Sequence, residues 1–490
     1  MKLTVKNFGP IKSAQVDVKP LTVFVGPSNT GKSYLAMLIY ITAKALKSLD
    51  KRLVLHVLIK SLKNRNSTQE LIIENEKLIG VRKAFAECLG FIRKQWADEG
   101  IRCFGEEWRN IIKQNGASAS VVISSDNDKI VLDLLSRGKD KSRFSDAMVA
   151  KVKDKILSEL KEDEDATRLF DETDLASFIQ YEMLKLINFL PDISEFDNSP
   201  YVSRRQANEY ANPHYLPAVR GGLMQSHRIL VGTLIDRAPV IGLTGAAEIV
   251  PFTGVLADFL RKLLMISGEH SELRSSRQRS RHPVETLSDL SEKIEREVMH
   301  GEITIKKLVT RYPDFRYRFV DKNSRKRDIS LMHASSSVSE LTPLVLFIRY
   351  YLSPNDIFIV EEPEAHLHPG AQRKVAGILV ELVNAGVNVV ITTHSDVILE
   401  QISNLIHADK VPKAKVFGQA AKGRTLSQEK AGCYTFKSLT VRGERTNVES
   451  VAFDEQTGFL TDDHLDVSSK LYNETVELLN LKVGDENDRA

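Results

Sequence analysis

The run Gly26-Pro27-Ser28-Asn29-Thr30-Gly31-Lys32-Ser33 constrains this chain more than any other. It fits the spacing G-x-x-x-x-G-K-[ST] of a phosphate-binding loop. Before it, Leu21–Val25 is an apolar, β-branched run of strand length. After it, Tyr34–Tyr40 reads as the first turns of a buried helix. Strand, glycine loop and helix is the order the chemistry needs. The glycines let backbone N–H groups close on phosphate oxygens, and the helix N-terminus adds partial positive charge. Lys32 is expected to reach the β- and γ-phosphates of ATP, and Ser33 to hold Mg²⁺.

Residues 1–25 read as a β unit: Leu3–Lys6, a turn at Asn7–Pro10, Ala14–Val18, then the strand feeding the loop. From Leu46 to about Leu190, apolar residues recur at helical spacing among many charges, as in Leu71/Leu78/Val81/Phe85 and Val152/Ile156/Leu160. No strict heptad persists, so a coiled-coil arm does not follow from the pattern. Val121–Ile123 and Lys129–Leu132 read as a hairpin within this region. A Pro-, Asn- and Ser-rich loop spans Pro191–Pro213, and Tyr215–Arg220 resumes the ordered fold. Helices are expected at Gly254–Ile266 and Val284–Met299, flanking the Arg-rich linker Leu273–Arg281. That linker is a solvated loop or a nucleic-acid contact, and the first reading is preferred.

Strand alternation marks Glu302–Ile305, Phe315–Val320 and Ile329–His333. An apolar helix then opens at Ser335-Ser336-Ser337 and runs to about Leu352. Asp356–Val360 and Val387–Thr392 are continuous apolar runs with a helix between them. Such runs are expected in parallel strands covered on both faces. The first ends in Glu361-Glu362, at the carboxyl edge where open α/β sheets bind ligands. Glu361 is assigned to the metal and Glu362 to orienting or deprotonating the attacking water. His394 ends the second run, within expected reach of a γ-phosphate. His366 and His368 are read as structural or dimer-facing rather than as metal ligands. Ser335–Ser337 could cap their helix alone or form an anion site at its start.

With these elements in order, the chain resembles the ABC-type ATPase heads of the SMC/RecF/OLD branch. The resemblance rests on Lys6–Ile11, the phosphate loop, Tyr215–Ala218 with Arg220, Ser335–Ser337, Val360–Pro369 and Thr393-His394-Ser395. It implies an α/β fold: an ABC-type P-loop head with an inserted helical arm domain and a small C-terminal β-rich lid. The implied divisions are 1–45 and 215–410 for the head, 46–214 for the helical insertion and 411–490 for the C-terminal subdomain. It implies two heads sandwiching two ATP molecules, each loop facing the Ser335–Ser337 signature of the other copy. Ser-Ser-Ser-Val-Ser in place of Leu-Ser-Gly-Gly-Gln argues against a transporter subunit. Glu361 stands where many ABC heads carry Asp, a swap that is normal in the OLD-like subgroup. A glutamine loop is not placed. OLD nucleases add a C-terminal TOPRIM domain, but Asp462, Asp463 and Asp466 lack its spacing. The resemblance therefore implies a stand-alone ATPase of the kind found in anti-phage defence. Its partner would be a separate effector, a TOPRIM-type nuclease, and its trigger a phage product. The alternative is a RecF-type repair ATPase that binds duplex DNA, for which Arg274, Arg277, Arg279 and Arg281 are candidate contacts.

Composition sets outer bounds. A net charge of +3 over 490 residues gives no global basic field. The three cysteines, Cys88, Cys103 and Cys433, make no C-x-x-C pair. No run of about 18 uncharged apolar residues is present, and Met1–Lys6 lacks a signal-peptide core. The expectation is a soluble cytoplasmic homo-oligomer with no membrane partner.

Overall fold

The computed structural model describes residues 1–48, 76–105, 111, 119–124, 130–135, 143–144, 212–226, 253–266, 283–307, 313–411, 424–437, 445–459, 470 and 472–477. Among these, eleven strands form one sheet in the order β6-β5-β4-β1-β2-β14-β13-β3-β12-β11-β7. In chain order they are β1 (Lys2–Phe8), β2 (Ile11–Asp17), β3 (Leu21–Val25), β4 (Ser120–Ser124), β5 (Ile130–Asp133), β6 (Arg143–Phe144) and β7 (Pro213–Leu216). They continue with β11 (Ile357–Glu361), β12 (Asn388–Thr393), β13 (Ala431–Lys437) and β14 (Thr446–Val451). A second sheet holds β8 (Gly301–Lys307), β9 (Pro313–Val320) and β10 (Lys326–Ser330).

The centre of the large sheet is parallel: β3 pairs with β12 and β13, and β11 pairs with β12 and β7. The apolar runs of the sequence are these strands, and their alternate residues enter two cores. Phe24, Ile357, Ile359 and Val390 face one side. There α1 (Lys32–Lys47) and α2 (Glu76–Phe104) contribute Leu35, Ile39, Ile92 and Trp96. Leu21, Val23, Val25, Phe358, Val360, Val389 and Ile391 face the other side. That side is covered by α5 (Ser336–Tyr350), α6 (Pro369–Asn384) and α7 (Asp396–Lys410), with α3 (Gly254–Met265) and α4 (Pro283–Ile294) in the same core. Phe358 is fully buried, and its truncation to Ala would cost about 3–5 kcal/mol.

Three placements depart from or extend the sequence reading. The hairpin β4–β5 lies within residues 46–214, yet β4 pairs antiparallel with β1 and so widens the main sheet. The β-rich C-terminal segment is seated inside that sheet, with β13 beside the P-loop strand β3 and β14 beside β2. Periodicity defines a strand but not its neighbour. The third strand of the small sheet is Lys326–Ser330, not Ile329–His333, and Leu331–His333 is a 3₁₀ turn. The Asp321 carboxylate accepts the amides of Asn323 and Arg325, both at 2.9 Å, and this turn sets the register Lys326↔Val320. The strand is charged and half-exposed, so alternation could not reveal it.

Of the helical run proposed from Leu46 onward, α2 is described. The segments around Leu71 and Val152, the Pro191–Pro213 loop up to residue 211 and the Leu273–Arg281 linker lie outside the described residues. No described helix is long and apolar enough to cross a membrane.

Candidate nucleotide site

The loop after β3 is shaped by positive backbone angles at Gly26 (φ 143°), Asn29 (φ 63°) and Gly31 (φ 100°). Glycine is required twice. A Cβ on Gly26 would lie 2.7 Å from the Phe436 carbonyl oxygen, and one on Gly31 would lie 2.8 Å from Pro10 Cγ. Strand β13 and the β1–β2 turn thus press on the loop from outside. Gly31 caps α1, which begins at Lys32 rather than Tyr34. Thr30 Oγ1 donates to the Pro27 carbonyl at 2.8 Å.

Lys32 is buried, and its ammonium donates to the carbonyls of Gly26 (2.8 Å) and Pro27 (2.6 Å). Burial brings its pKa down to about 8, against the opposing pull of Glu362 and Glu364. A buried cation whose hydrogen bonds, among the described residues, go to its own loop's carbonyls is suited to receive anionic oxygens. Ser33, in the first turn of α1, is exposed at the same end of the helix.

The second half of the site comes from the neighbouring strand ends. Register pairs Thr393 with Val25 and Glu361 with Thr392, so β3, β12 and β11 finish along one edge. Glu361 is buried, and its Oε2 accepts the Ala218 amide at 3.0 Å. Burial and the Glu361 carboxylate together hold the Tyr215 phenol far above its usual range. Glu362 takes a left-handed conformation (φ 43°) and donates its amide to the Thr392 carbonyl at 2.9 Å. Its Oε1 lies 3.6 Å from His394 Nε2. Burial, then the Lys32 charge, depress the His394 pKa, while Glu362, Glu364 and a hydrogen bond with the Gly26 backbone oppose them. The imidazole is therefore neutral near pH 7 and carries a single N–H donor.

Two residues outside the expected set organise this edge. Glu364 Oε1 accepts from Thr393 Oγ1 (2.8 Å) and from the His394 amide (2.7 Å). Its Oε2 is buried without a hydrogen-bond partner among the described residues. Arg220, 3% exposed, donates to the carbonyls of Glu361 (2.5 Å), Glu362 (2.9 Å), Pro217 (3.2 Å) and Glu340 (3.3 Å). The signal for Glu364 was its place in the acidic run Glu361–Glu364. Arg220 stood out in the sequence only as part of the Tyr215–Arg220 motif; its role had no local signal, because the Glu361 and Glu362 carbonyls it holds are about 140 residues away.

Lys32, Glu361, Glu362 and His394 thus meet at one sheet edge. Ser335–Ser337 does not join them: among the described residues, no hydrogen bond or ion pair links it to the loop, Glu362 or His394. Ser335 caps α5, its Oγ accepting the Val338 amide at 3.4 Å, and lies 3.0 Å from Ser337 Oγ. Ser335 and Ser336 are exposed. His368 caps α6 through Nδ1, which accepts the Gly370 amide at 3.2 Å, and His366 is exposed at φ 56°. Neither stands in a cluster of His, Cys, Asp or Glu able to hold a metal among the described residues. Burial pushes the Cys103 and Cys433 thiols up to about 12, leaving both inert.

A glycine loop between strand and helix, a buried lysine and a carboxylate pair at a strand end on the same sheet edge define a P-loop ATPase of mixed α/β fold. Two sequence profiles agree. One described as "AAA ATPase domain" matches residues 1–209, and one described as "AAA domain, putative AbiEii toxin, Type IV TA system" matches residues 255–400. The search of curated proteins finds no match. Among solved structures, an SMC head bound to the C-terminal winged-helix domain of ScpA is similar at 11% identity and a TM-score of 0.38, over 93% of this chain and 98% of that one. The SMC head of Thermotoga maritima gives 10% identity and 0.33, over 92% and 98%. A Pyrococcus furiosus SMC head with an extended coiled coil, bound to the C-terminal domain of ScpA, gives 14% and 0.34, over 97% and 98%.

Proposed function

We propose that this chain binds and hydrolyses ATP between paired heads, and that the assembled pair holds or regulates a separate effector, a TOPRIM-type nuclease, in anti-phage defence. One observation carries the ATP part. Lys32, Glu361, Glu362 and His394 converge on one edge, while the exposed serines at the start of α5 stand apart from it. A half-site and an exposed serine-rich helix start on the same chain would complement each other across two copies. ATP bound at Gly26, Pro27, Ser28, Asn29, Thr30, Gly31, Lys32 and Ser33 would then join the partner's Ser335, Ser336 and Ser337. The toxin-system description of the profile over residues 255–400 supports a protein that works with a partner.

The donor set fits Mg²⁺. Ser33 offers a hydroxyl at the start of α1, and Glu361 a buried carboxylate at the end of β11, one strand beyond β12 on the same sheet edge. Bound there, the ion would offset the charge of the β- and γ-phosphates. Lys32 would exchange its two loop carbonyls for phosphate oxygens. Glu362 accepts the proton of a water whose oxygen attacks the γ-phosphorus, and ADP leaves with the bridging oxygen. The neutral His394 donates its N–H to the γ-phosphate. The parts of 46–214 outside α2 and β4–β6 would supply oligomer or effector contacts in the cytoplasm, with residues 1–45 and 215–410 forming the head together with β4–β6, β13 and β14, which share its sheet.

The composite site is tested by mixing two inactive proteins, Lys32→Ala and Ser336→Arg. A mixed pair holds one intact site, so the mixture should recover ATPase activity that neither protein has alone. No recovery at any mixing ratio would refute the shared site. The effector is tested by co-expressing the neighbouring reading frame. Co-purification of a TOPRIM-type nuclease is expected, and a neighbour from a replication operon would overturn the defence reading.

A further inference from the structure

We infer that Arg220 and Glu340 couple the serine-rich start of α5 to the Glu361–Glu362 peptide, so that engagement of those serines sets the position of the water-activating carboxylate on the same chain. The inference rests on the shared-site reading above and adds to it a route between the two sites of a pair.

Glu340 lies one helical turn after Ser336, on the same face of α5. Its carboxylate is buried and forms an ion pair with Arg220 at 3.1 Å. The Nε hydrogen itself goes to the Glu340 main-chain carbonyl at 3.3 Å, so the carboxylate is held by charge, and the terminal nitrogens donate to the carbonyls of Pro217, Glu361 and Glu362. The Glu361 carbonyl belongs to the peptide that leads into Glu362, and Glu362 sits at φ 43°, a conformation its neighbours must hold in place. Arg220 is a planar fork, so displacing Nε relocates both terminal nitrogens together.

The contact is tight. A Cβ on Gly221 would lie 2.3 Å from Glu340 Oε1, so the backbone after Arg220 abuts the carboxylate. Ser339 is fully buried and accepts a hydrogen bond from Gln225 Nε2 at 3.1 Å, which ties α5 to the short helix 220–226 a second time.

The far half of α5 is fixed elsewhere. Arg349 pairs with the buried Glu295 at 2.5 Å and donates to Ser291 at 3.3 Å. Glu295 also accepts the Ile303 amide at 2.6 Å. Between the two anchors stands Pro343, inside the helix. It lacks the N–H that would bond the Ser339 carbonyl, so the first two turns are less firmly joined to the rest. A load on Ser335–Ser337 would therefore pass to Arg220 before it reached Arg349.

The experiment compares ATP hydrolysis and ATP-driven assembly of the full chain with those of Glu340→Gln, Arg220→Lys and Gly221→Ala. Glu340→Gln keeps shape and hydrogen bonding but removes the charge, Arg220→Lys cannot hold both carbonyls, and Gly221→Ala pushes on the carboxylate from outside. Coupling predicts that kcat falls roughly 10–100-fold while KM and ATP-driven dimerisation by light scattering stay near the wild-type values. It also predicts that the Hill coefficient for ATP falls to one. A purely structural role would lower the melting temperature yet leave kcat per folded molecule and the Hill coefficient unchanged, which overturns the inference. Should Glu340→Gln not fold, Gly221→Ala decides alone by the same readings. Failure of the shared-site reading is separable, because it removes ATP-driven dimerisation from the wild-type protein itself.

Discussion

Glu364 Oε1 accepts the backbone N–H of His394 at 2.7 Å, binding the exit of β12 to the turn that follows β11. The same oxygen accepts from Thr393 Oγ1. One carboxylate therefore sets the spacing between the strand end carrying Glu362 and the one carrying His394. Hydrogen bonds to a charged acceptor contribute about 1.5–3 kcal/mol each. Glu364→Ala should lower the denaturation midpoint measurably and reduce kcat more than nucleotide affinity, because His394 loses its fixed position. Unchanged turnover in a destabilised Glu364→Ala protein would show that the link serves stability alone.

Lys32→Ala should abolish nucleotide binding, read by fluorescence of a labelled ATP analogue. The pH dependence is more specific. Burial lowers the Lys32 pKa to about 8 in the nucleotide-free protein, and phosphates would raise it again. Above pH 8 the free protein has lost a proton that the complex retains, so affinity should fall by up to about tenfold per pH unit from there. Below pH 8 it should be flat. For stability the sign is opposite: the unfolded lysine binds its proton more tightly, so the nucleotide-free protein gains stability as pH rises from 8 toward 10.5. Calorimetry in buffers of different ionisation enthalpy would register the proton uptake on binding.

Glu362→Gln should bind ATP with little loss and hydrolyse it about 10²–10⁴-fold more slowly. The trapped protein should elute as a dimer in ATP and as a monomer without it. Full hydrolysis in this variant would remove Glu362 from its role.

Ser335→Ala removes the α5 cap, at a cost of about 1 kcal/mol. In the shared-site arrangement it should also weaken ATP-driven dimerisation, while binding of ATP to the monomer is kept. Light scattering and binding assays on the same sample separate the two effects.

Much of the head was legible because its signals are local. The Gly26–Ser33 spacing fixed the loop, and the apolar runs at Leu21–Val25, Ile357–Val360 and Val389–Ile391 fixed doubly covered strands. Glu361, Glu362 and His394 followed as the residues at the ends of two such strands. These choices depend on backbone conformation and burial over a few residues, and the amino-acid types record both. The register and neighbours of the strands are not recorded in that way. That β13 lies beside β3, with Phe436 pressed against Gly26, follows from hydrogen bonds between segments some 400 residues apart. Arg220 on the Glu361 and Glu362 carbonyls, and Glu364 on the His394 amide, are contacts to main-chain atoms that every residue carries. Side-chain identity therefore cannot announce them. The sequence by itself determined which residues make the phosphate loop and the carboxylate pair. Only the tertiary structure decided what holds that pair in place and which part of α5 it is tied to.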